Sequence, residues 1–192
     1  MQRTDGRVSG SALLVMDVQR GVVERFASDP EYLPRLRGAI EVAHRVGMPV
    51  IYVVVRFRDG HPEVSRRNKS FGAITRSGGF VATDSATEIH PEITPRDGDI
   101  VVTKRRVSAF AGSDLEVVLR SGEIDTLVLA GIATSGVVLS TVRQAADLDY
   151  RLVVLGDGCL DADPEVHRVL TEKVFPRQAD VMTVDTWIAK QG

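Results

Sequence analysis

The chain has 192 residues, 43% of them hydrophobic and 26% charged, enough apolar material for one domain that buries roughly 70% of the surface its unfolded form exposes. A formal charge of -2 excludes bulk electrostatic recruitment to nucleic acid or to an anionic membrane, and a small neutral or mildly anionic ligand suits it better. The one cysteine, Cys159, excludes an internal disulfide and a thiolate metal cluster, and points to a reducing compartment.

Taken in chain order, Met1 to Gly6 lacks the apolar segment of a secretory signal, and no apolar run approaches the ~20 residues that cross a bilayer. A soluble cytoplasmic protein is the expectation. A first β-rich apolar run, residues 12–16, ends on Asp17. Leu33, Leu36, Ile40, Ala43 and Val46 then recur at helical spacing and stop at Gly47, with Pro49 close behind. A second run, 50–55, completes a strand, helix, strand unit.

Residues 57–99 lack clear periodicity and carry Gly60, Gly72, Gly78, Gly79, four basic residues from Arg66 to Arg76, Pro91 and Pro95. So long a connection is either partly helical or a functional lid, and a lid over the sheet's end or an arm to a second subunit is the preferred reading. The run 100–102 leads into Lys104-Arg105-Arg106. Ser113 with Glu116 three positions on forms a candidate capping box for a helix ending near Gly122.

The run 126–130 precedes a loop from Gly131 to Gly136, where a third helix should begin with Val138, Thr141, Val142 and Ala145 on one side. After the run 152–155, Asp163-Pro164 opens a fourth helix with a cap and a proline at the first position. The last run is 181–184. These runs are β-branched and lack polar alternation, as strands covered on both faces do. They predict one α/β domain over residues 1–192, a three-layer doubly wound sandwich around a six-stranded parallel sheet, without internal repeats.

Ligands of such sheets bind beyond the carboxyl ends of the strands, which selects Asp17, Arg56, Lys104, the loop from Gly131 to Gly136, and Asp157. At the mouth of a buried strand Asp17 is desolvated, which raises its pKa and suits it to acid–base chemistry, unless it merely caps a turn. Lys104 either joins a solvated basic rim or holds the carboxylate and stabilises developing negative charge. Arg105 and Arg106 divide between a substrate carboxylate and solvent.

Among the histidines, His44 and His167 read as surface or packing residues of helices, and His90 as a liner of the lid. Asp59-x-His61 lacks the further ligands of a metal set, so no metal is expected. There is no Gly-rich dinucleotide fingerprint, no phosphate loop and no nucleophile elbow, so no cofactor is expected either. Ser135 has a strand-to-helix placement but no evident histidine to activate it.

Leu13-Leu14-Val15-Met16-Asp17-Val18-Gln19, Lys104-Arg105-Arg106-Val107-Ser108-Ala109-Phe110 and Gly131-Ile132-Ala133-Thr134-Ser135-Gly136-Val137 together resemble the three signatures of the isochorismatase-like hydrolases. The resemblance runs from about residue 10 to 187. It implies the strand order 3-2-1-4-5-6 and assembly as a homodimer or homotetramer. It further implies a small-molecule substrate and an Asp, Lys and Cys triad whose first two members fall at Asp17 and Lys104. The Cys would fall at Gly136, which has no side chain to attack with. Ala133, Thr134, Ser135, Gly136 and Phe110 are the expected substrate-binding residues.

The leading expectation is therefore a hydrolase that uses Asp17 and Lys104 without a covalent cysteine intermediate, on an enol ether or another small molecule. The loop does not carry the Gly-Val-Tyr-Ala-His pattern of isochorismate-cleaving members. The alternatives are a non-catalytic binding or scaffold protein of the same family, and an amidase that uses Cys159 from the neighbouring loop.

Overall fold

The computed structural model describes residues 10–26 and 29–192, so the stretch from Met1 to Gly6 and the expectation placed on it lie outside the described residues. Six strands form one parallel sheet: β1 (Ser11–Met16), β2 (Val50–Val55), β3 (Ile100–Lys104), β4 (Thr126–Ile132), β5 (Arg151–Leu160) and β6 (Asp180–Met182). Their spatial order is β3-β2-β1-β4-β5-β6, and every pairing is parallel.

Alternation along β1 shows why its sequence is apolar at every position. Leu14 and Met16 enter one buried cluster together with Ile51, Val53, Leu127 and Leu129. Leu13 and Val15 enter a second, with Val50, Tyr52, Val128 and Ala130. Each face of the strand thus meets its own apolar layer, and each buried Leu or Val contributes about 1.5–3 kcal/mol.

The second layer is closed by α2 (Tyr32–Arg45), which presents Leu36, Ala39, Ile40 and Ala43 inward. Gly47 ends it at φ +71°, a left-handed turn that lets the Met48 amide bond the Ala43 carbonyl at 2.9 Å. The first layer is covered by α4 (Leu115–Ser121), α5 (Leu139–Asp147) and the chain after α6 (Pro164–Val169), which places Leu170 and Phe175 inside. Asp163 caps α6, its Oδ1 accepting from the Glu165 and Val166 amides.

Two local expectations are corrected and one further helix is found. Ser113 and Glu116 make no capping box: Ser113 Oγ donates to the Ala109 carbonyl at 2.6 Å, Asp114 is the cap residue, and Glu116 pairs with Arg120. The apolar run 181–184 is not one strand, because Thr183 accepts the Thr186 amide and starts a helix, α7 (Val184–Ala189). An unpredicted helix, α1 (Arg20–Phe26), follows β1. The third helix begins near Gly136 as expected, through a wide helical turn over Thr134–Val138 that departs from helical geometry at Gly136 itself and continues as α5.

The long connection is partly helical. It contains α3 (Lys69–Ser77) and two single 3-10 turns, Ser85–Thr87 and Pro91–Ile93. Phe71 and Phe80 join Val55 and Phe57 in a third, small apolar cluster. Gln19, fully buried, ties this segment to the sheet: its Nε2 donates to the Val55 and Thr87 carbonyls at 3.0 and 2.7 Å, and its Oε1 accepts the Val55 amide at 2.9 Å.

Gly131 admits no side chain. Its φ is +151°, and a Cβ there would lie 2.2 Å from the Met16 carbonyl oxygen of the neighbouring strand. Gly131→Ala is expected to cost ~4 kcal/mol or more, the range of severe single substitutions. A melting temperature within 2 or 3 °C of the parent, about the scale of a sub-kcal change, would contradict this close approach.

Candidate active site

β1 is the switch point of the sheet: the chain runs from β1 outward to β2 and β3 on one side and to β4, β5 and β6 on the other. Open parallel sheets bind ligands in the crevice at that point. Asp17 is the first residue past β1, with φ +55° and its amide bonded to the Val53 carbonyl at 2.8 Å. Lys104 ends β3, two strands away, or about 10 Å in sheet spacings. Only a long side chain spans that gap, and Lys104 Nζ reaches Asp17 Oδ2 at 2.8 Å.

Both partners are buried, Asp17 at 7% exposure and Lys104 at 2%. Lys104 Nζ also donates to the Arg106 carbonyl at 3.0 Å. Asp17 Oδ1 is buried with no hydrogen-bond partner among the described residues. Burial pushes the Asp17 pKa up from its ordinary value of 3.8, while the Lys104 charge and hydrogen bond pull it partly back.

The pair sits in a cavity of about 570 Å³. Ala133, Ser135 and Gly136 line it from the turn after β4, and Val55, Val107, Ile132 and Val137 add apolar wall. Val22 and Phe26 of α1 and Ser70 and Phe71 of α3 close the remaining side. A Cβ at Gly136 would meet only the Ala133 Cβ, at 3.8 Å, so the position faces open space. The Ile132–Ala133 peptide is cis.

The turn itself is held from behind. The Ser135 amide donates to Asp161 Oδ2 at 2.7 Å, and the Gly136 amide to the Ala133 carbonyl at 3.0 Å. Thr134 is fully buried and does not line the cavity. Its Oγ1 lies 2.8 Å from His167 Nδ1. Burial holds the half-buried His167 below its ordinary pKa, against a smaller opposite effect of Asp161.

Phe110 also stands apart from the cavity. Its ring packs in the core with its centroid 5.9 Å from that of Tyr150. Cys159 is buried at 1% exposure and lines a separate small cavity of about 170 Å³ beside Asp161 and His167. Burial pushes its thiol up to about 12, the reverse of an activated nucleophile.

The basic triplet divides differently from the expectation. Arg105 Nε bonds Glu63 Oε1 at 3.2 Å, and the Arg106 guanidinium donates to the Arg105 and Glu63 carbonyls at 2.6 and 2.7 Å. Neither arginine lines the cavity. Arg56 reaches the Thr87 carbonyl at 3.3 Å, and Asp157 accepts the Val184 amide at 2.7 Å.

His44 pairs with Asp99 at 2.7 Å, His61 Nε2 lies 2.8 Å from the Gly79 carbonyl oxygen, and His90 Nδ1 accepts the Glu92 amide. No three His, Cys, Asp or Glu side chains gather into a metal-binding group among the described residues. No helix among them is long and apolar enough to cross a membrane.

The isochorismatase domain matches residues 11–186. The chain belongs to the isochorismatase family. It is 32% identical over 178 residues to the isochorismatase family protein YwoC of Bacillus subtilis (strain 168), covering 93% of this chain and 92% of that one. It is 29% identical over 208 residues to the ureidoacrylate amidohydrolase RutB of Stutzerimonas stutzeri (strain A1501), covering 94% and 78%. In fold it superposes on the crystal structure of a cysteine hydrolase from Pseudomonas syringae pv. phaseolicola 1448A with a TM-score of 0.87 at 20% identity, over 95% of this chain and 92% of that one.

Within this isochorismatase-family fold, Val22, Phe26, Ser70, Phe71, Val107 and Val137 are cavity residues that sequence reasoning did not single out. Val107 and Val137 stood inside the quoted signatures, and Ser70 and Phe71 inside the segment read as a lid. Nothing in the local sequence links Thr134 to His167, 33 positions away.

Proposed function

We propose that this isochorismatase-family chain is a small-molecule hydrolase in which Asp17 is the proton donor and Lys104 its electrostatic partner, with no covalent cysteine intermediate. The observation that carries the reading is the buried Asp17–Lys104 pair, 2.8 Å apart, which lines a cavity beside a glycine whose missing side chain leaves open space. Gly136 stands where the family's nucleophilic thiol would fall. Water takes the place of that thiol.

In this scheme protonated Asp17 gives its proton to the substrate, at the enol carbon of a vinyl ether or at a leaving heteroatom. Water adds to the resulting electron-poor carbon from the side left open at Gly136. As its O–H bond breaks, the Asp17 carboxylate takes that proton back. On the vinyl-ether route the hemiketal so formed then collapses to a carbonyl, its C–O bond to the departing alcohol breaking as the hemiketal hydroxyl proton passes to that oxygen, and the enzyme ends as it began. Lys104 keeps the transient carboxylate from being left unpaired in the interior.

A protonation-first route also agrees with the backbone amides near Gly136. Those of Ser135 and Gly136 are bonded to Asp161 and to the Ala133 carbonyl. Neither is free to receive an oxyanion, whose stabilisation by aimed donors carries most acyl-transfer catalysis. This favours an enol ether over an amide, although RutB is named an amidohydrolase. The same occupied amides give weight to a second reading, a binding protein that has lost turnover.

The test is a mass-spectrometric turnover screen over enol ethers, amides and ureides, followed by a pH profile on any substrate found. An acid catalyst loses rate as pH rises through its pKa, and here that limb should lie above the ordinary carboxylate value of 3.8 because burial raises Asp17. A rate that instead rises through that range would make Asp17 a base. Binding without product from any class, in folded protein, would favour the second reading.

Cys159→Ala should leave turnover within about twofold, and thiol-alkylating reagents should not inhibit, because the thiol is buried in the core and outside the cavity. Inactivation that tracks one alkylated Cys159 would instead support the thiol route.

A further inference from the structure

We infer that the part of the substrate entering the Asp17 cavity is uncharged and largely apolar, and that the cavity discriminates against a carboxylate. This rests on the hydrolase reading for the identity of the site, and it narrows the mildly anionic ligand admitted by the net charge to a neutral one.

Among the described residues the only ionisable side chains lining the cavity are Asp17 and Lys104. While Asp17 is ionised they neutralise each other at 2.8 Å, so the preference for a neutral ligand belongs to that ionised form rather than to the protonated one that turns substrate over. The remaining walls are aliphatic or aromatic apart from the two serines, Ser70 and Ser135. A carboxylate brought into such a space loses its hydration and finds no cation in exchange.

Lys104 is no substitute for a free cation. Its ammonium already donates to Asp17 and to the Arg106 carbonyl, and a second anion placed against it would also lie against the Asp17 carboxylate. The arginines that follow the neighbouring strands do not line the cavity, and Arg56 among them reaches the Thr87 carbonyl at 3.3 Å. Arg105 is paired with Glu63, and Arg106 is bonded to the Arg105 and Glu63 carbonyls. Glu63 is itself shared with Arg58, so one carboxylate gathers two of the nearby guanidinium groups.

A neutral apolar group meets the opposite situation. It displaces water from the apolar walls around Val107 and Phe71, which is favourable per unit area buried. Its single polar atom, an ether oxygen or an amide, can be met by the Ser70 and Ser135 hydroxyls that line the wall. A hydroxyl donates to an ether oxygen and accepts from an amide N–H.

The test uses matched pairs that differ only by a terminal carboxylate: hexanamide against adipamate, and 1-methoxycyclohexene against its 4-carboxylate. Binding to the full chain at pH 7.5 is measured by ligand-observed NMR titration, and turnover is followed separately. The neutral member of each pair should bind about tenfold tighter or more. Val107→Arg, which places a cation on the cavity wall, should narrow or reverse that preference.

Equal or tighter binding of the carboxylates by the parent chain, or no saturable binding of either neutral probe, overturns the inference. Neutral probes that bind but are not converted would leave it standing and count against the hydrolase reading. A carboxylate that is bound tightly and hydrolysed with dependence on Asp17 would do the reverse.

Discussion

Asp17→Asn should lower kcat about 10²- to 10⁴-fold on any substrate the chain converts, the range that a positioned acid or base supplies. The amide fits the same space and can still accept from Lys104, whose Nζ lies 2.8 Å from Oδ2, but it carries no proton that can be released near neutral pH. The effect should fall on kcat more than on KM, because Asp17 acts on charge that develops only in the transition state. A variant that melts like the parent and retains more than about a tenth of its kcat would remove Asp17 from the chemistry.

Lys104→Met should be the most damaging change to stability among the site residues, at about 3–5 kcal/mol near neutral pH, because it strands a buried carboxylate. The pH dependence gives this prediction its sign. Burial already raises Asp17 above 3.8, and Lys104 is what opposes that rise, so its loss moves the pKa further up. The folded state then holds a proton that the unfolded chain releases. Stability is fully present below the unfolded value of 3.8 and is lost as pH climbs from there through the folded value.

The variant should therefore approach parental stability in acid and fall away toward pH 7, and its falling kcat limb should move to higher pH. Asp17→Asn combined with Lys104→Met removes both charges and should be more stable at pH 7 than Lys104→Met alone. Urea midpoints measured at pH 4 and pH 7 for the three proteins decide it. Equal losses at both pH values would mean that lost packing of the lysine stem, rather than the charge, dominates.

The sheet was legible because its strands are buried on both faces, which leaves apolar, β-branched runs with no other simple explanation. Layering could be read from residues 12–16 and 50–55, whereas strand order came from family resemblance. Reading failed where a boundary depended on one side chain's choice of partner. Thr183 breaks the apolar run 181–184 by capping a helix, and Ser113 turns back to the Ala109 carbonyl instead of forward to a cap. Both alternatives use the same residue types at the same spacing.

The site divides along the same line. Asp17 and Lys104 were found because strand ends define the crevice, so position alone nominated them. Phe110 shares a signature with Lys104 yet turns toward Tyr150, a contact set by helix packing 40 residues on. Arg105 and Arg106 are adjacent to Lys104 in sequence, but their direction is decided by Glu63 in the long connection. Local sequence identifies which residues are near a strand end. It does not say which way each one faces.

Gly136 bears on how such a chain changes chemistry over generations. A Cβ at that position meets nothing closer than 3.8 Å, so neither backbone nor neighbouring side chains have closed over it. A side chain there could be gained or lost without rebuilding the turn or repacking the core beneath. Forms with and without a small side chain at this position would then be neighbouring sequences, and a lineage could pass between them in either direction by a single replacement.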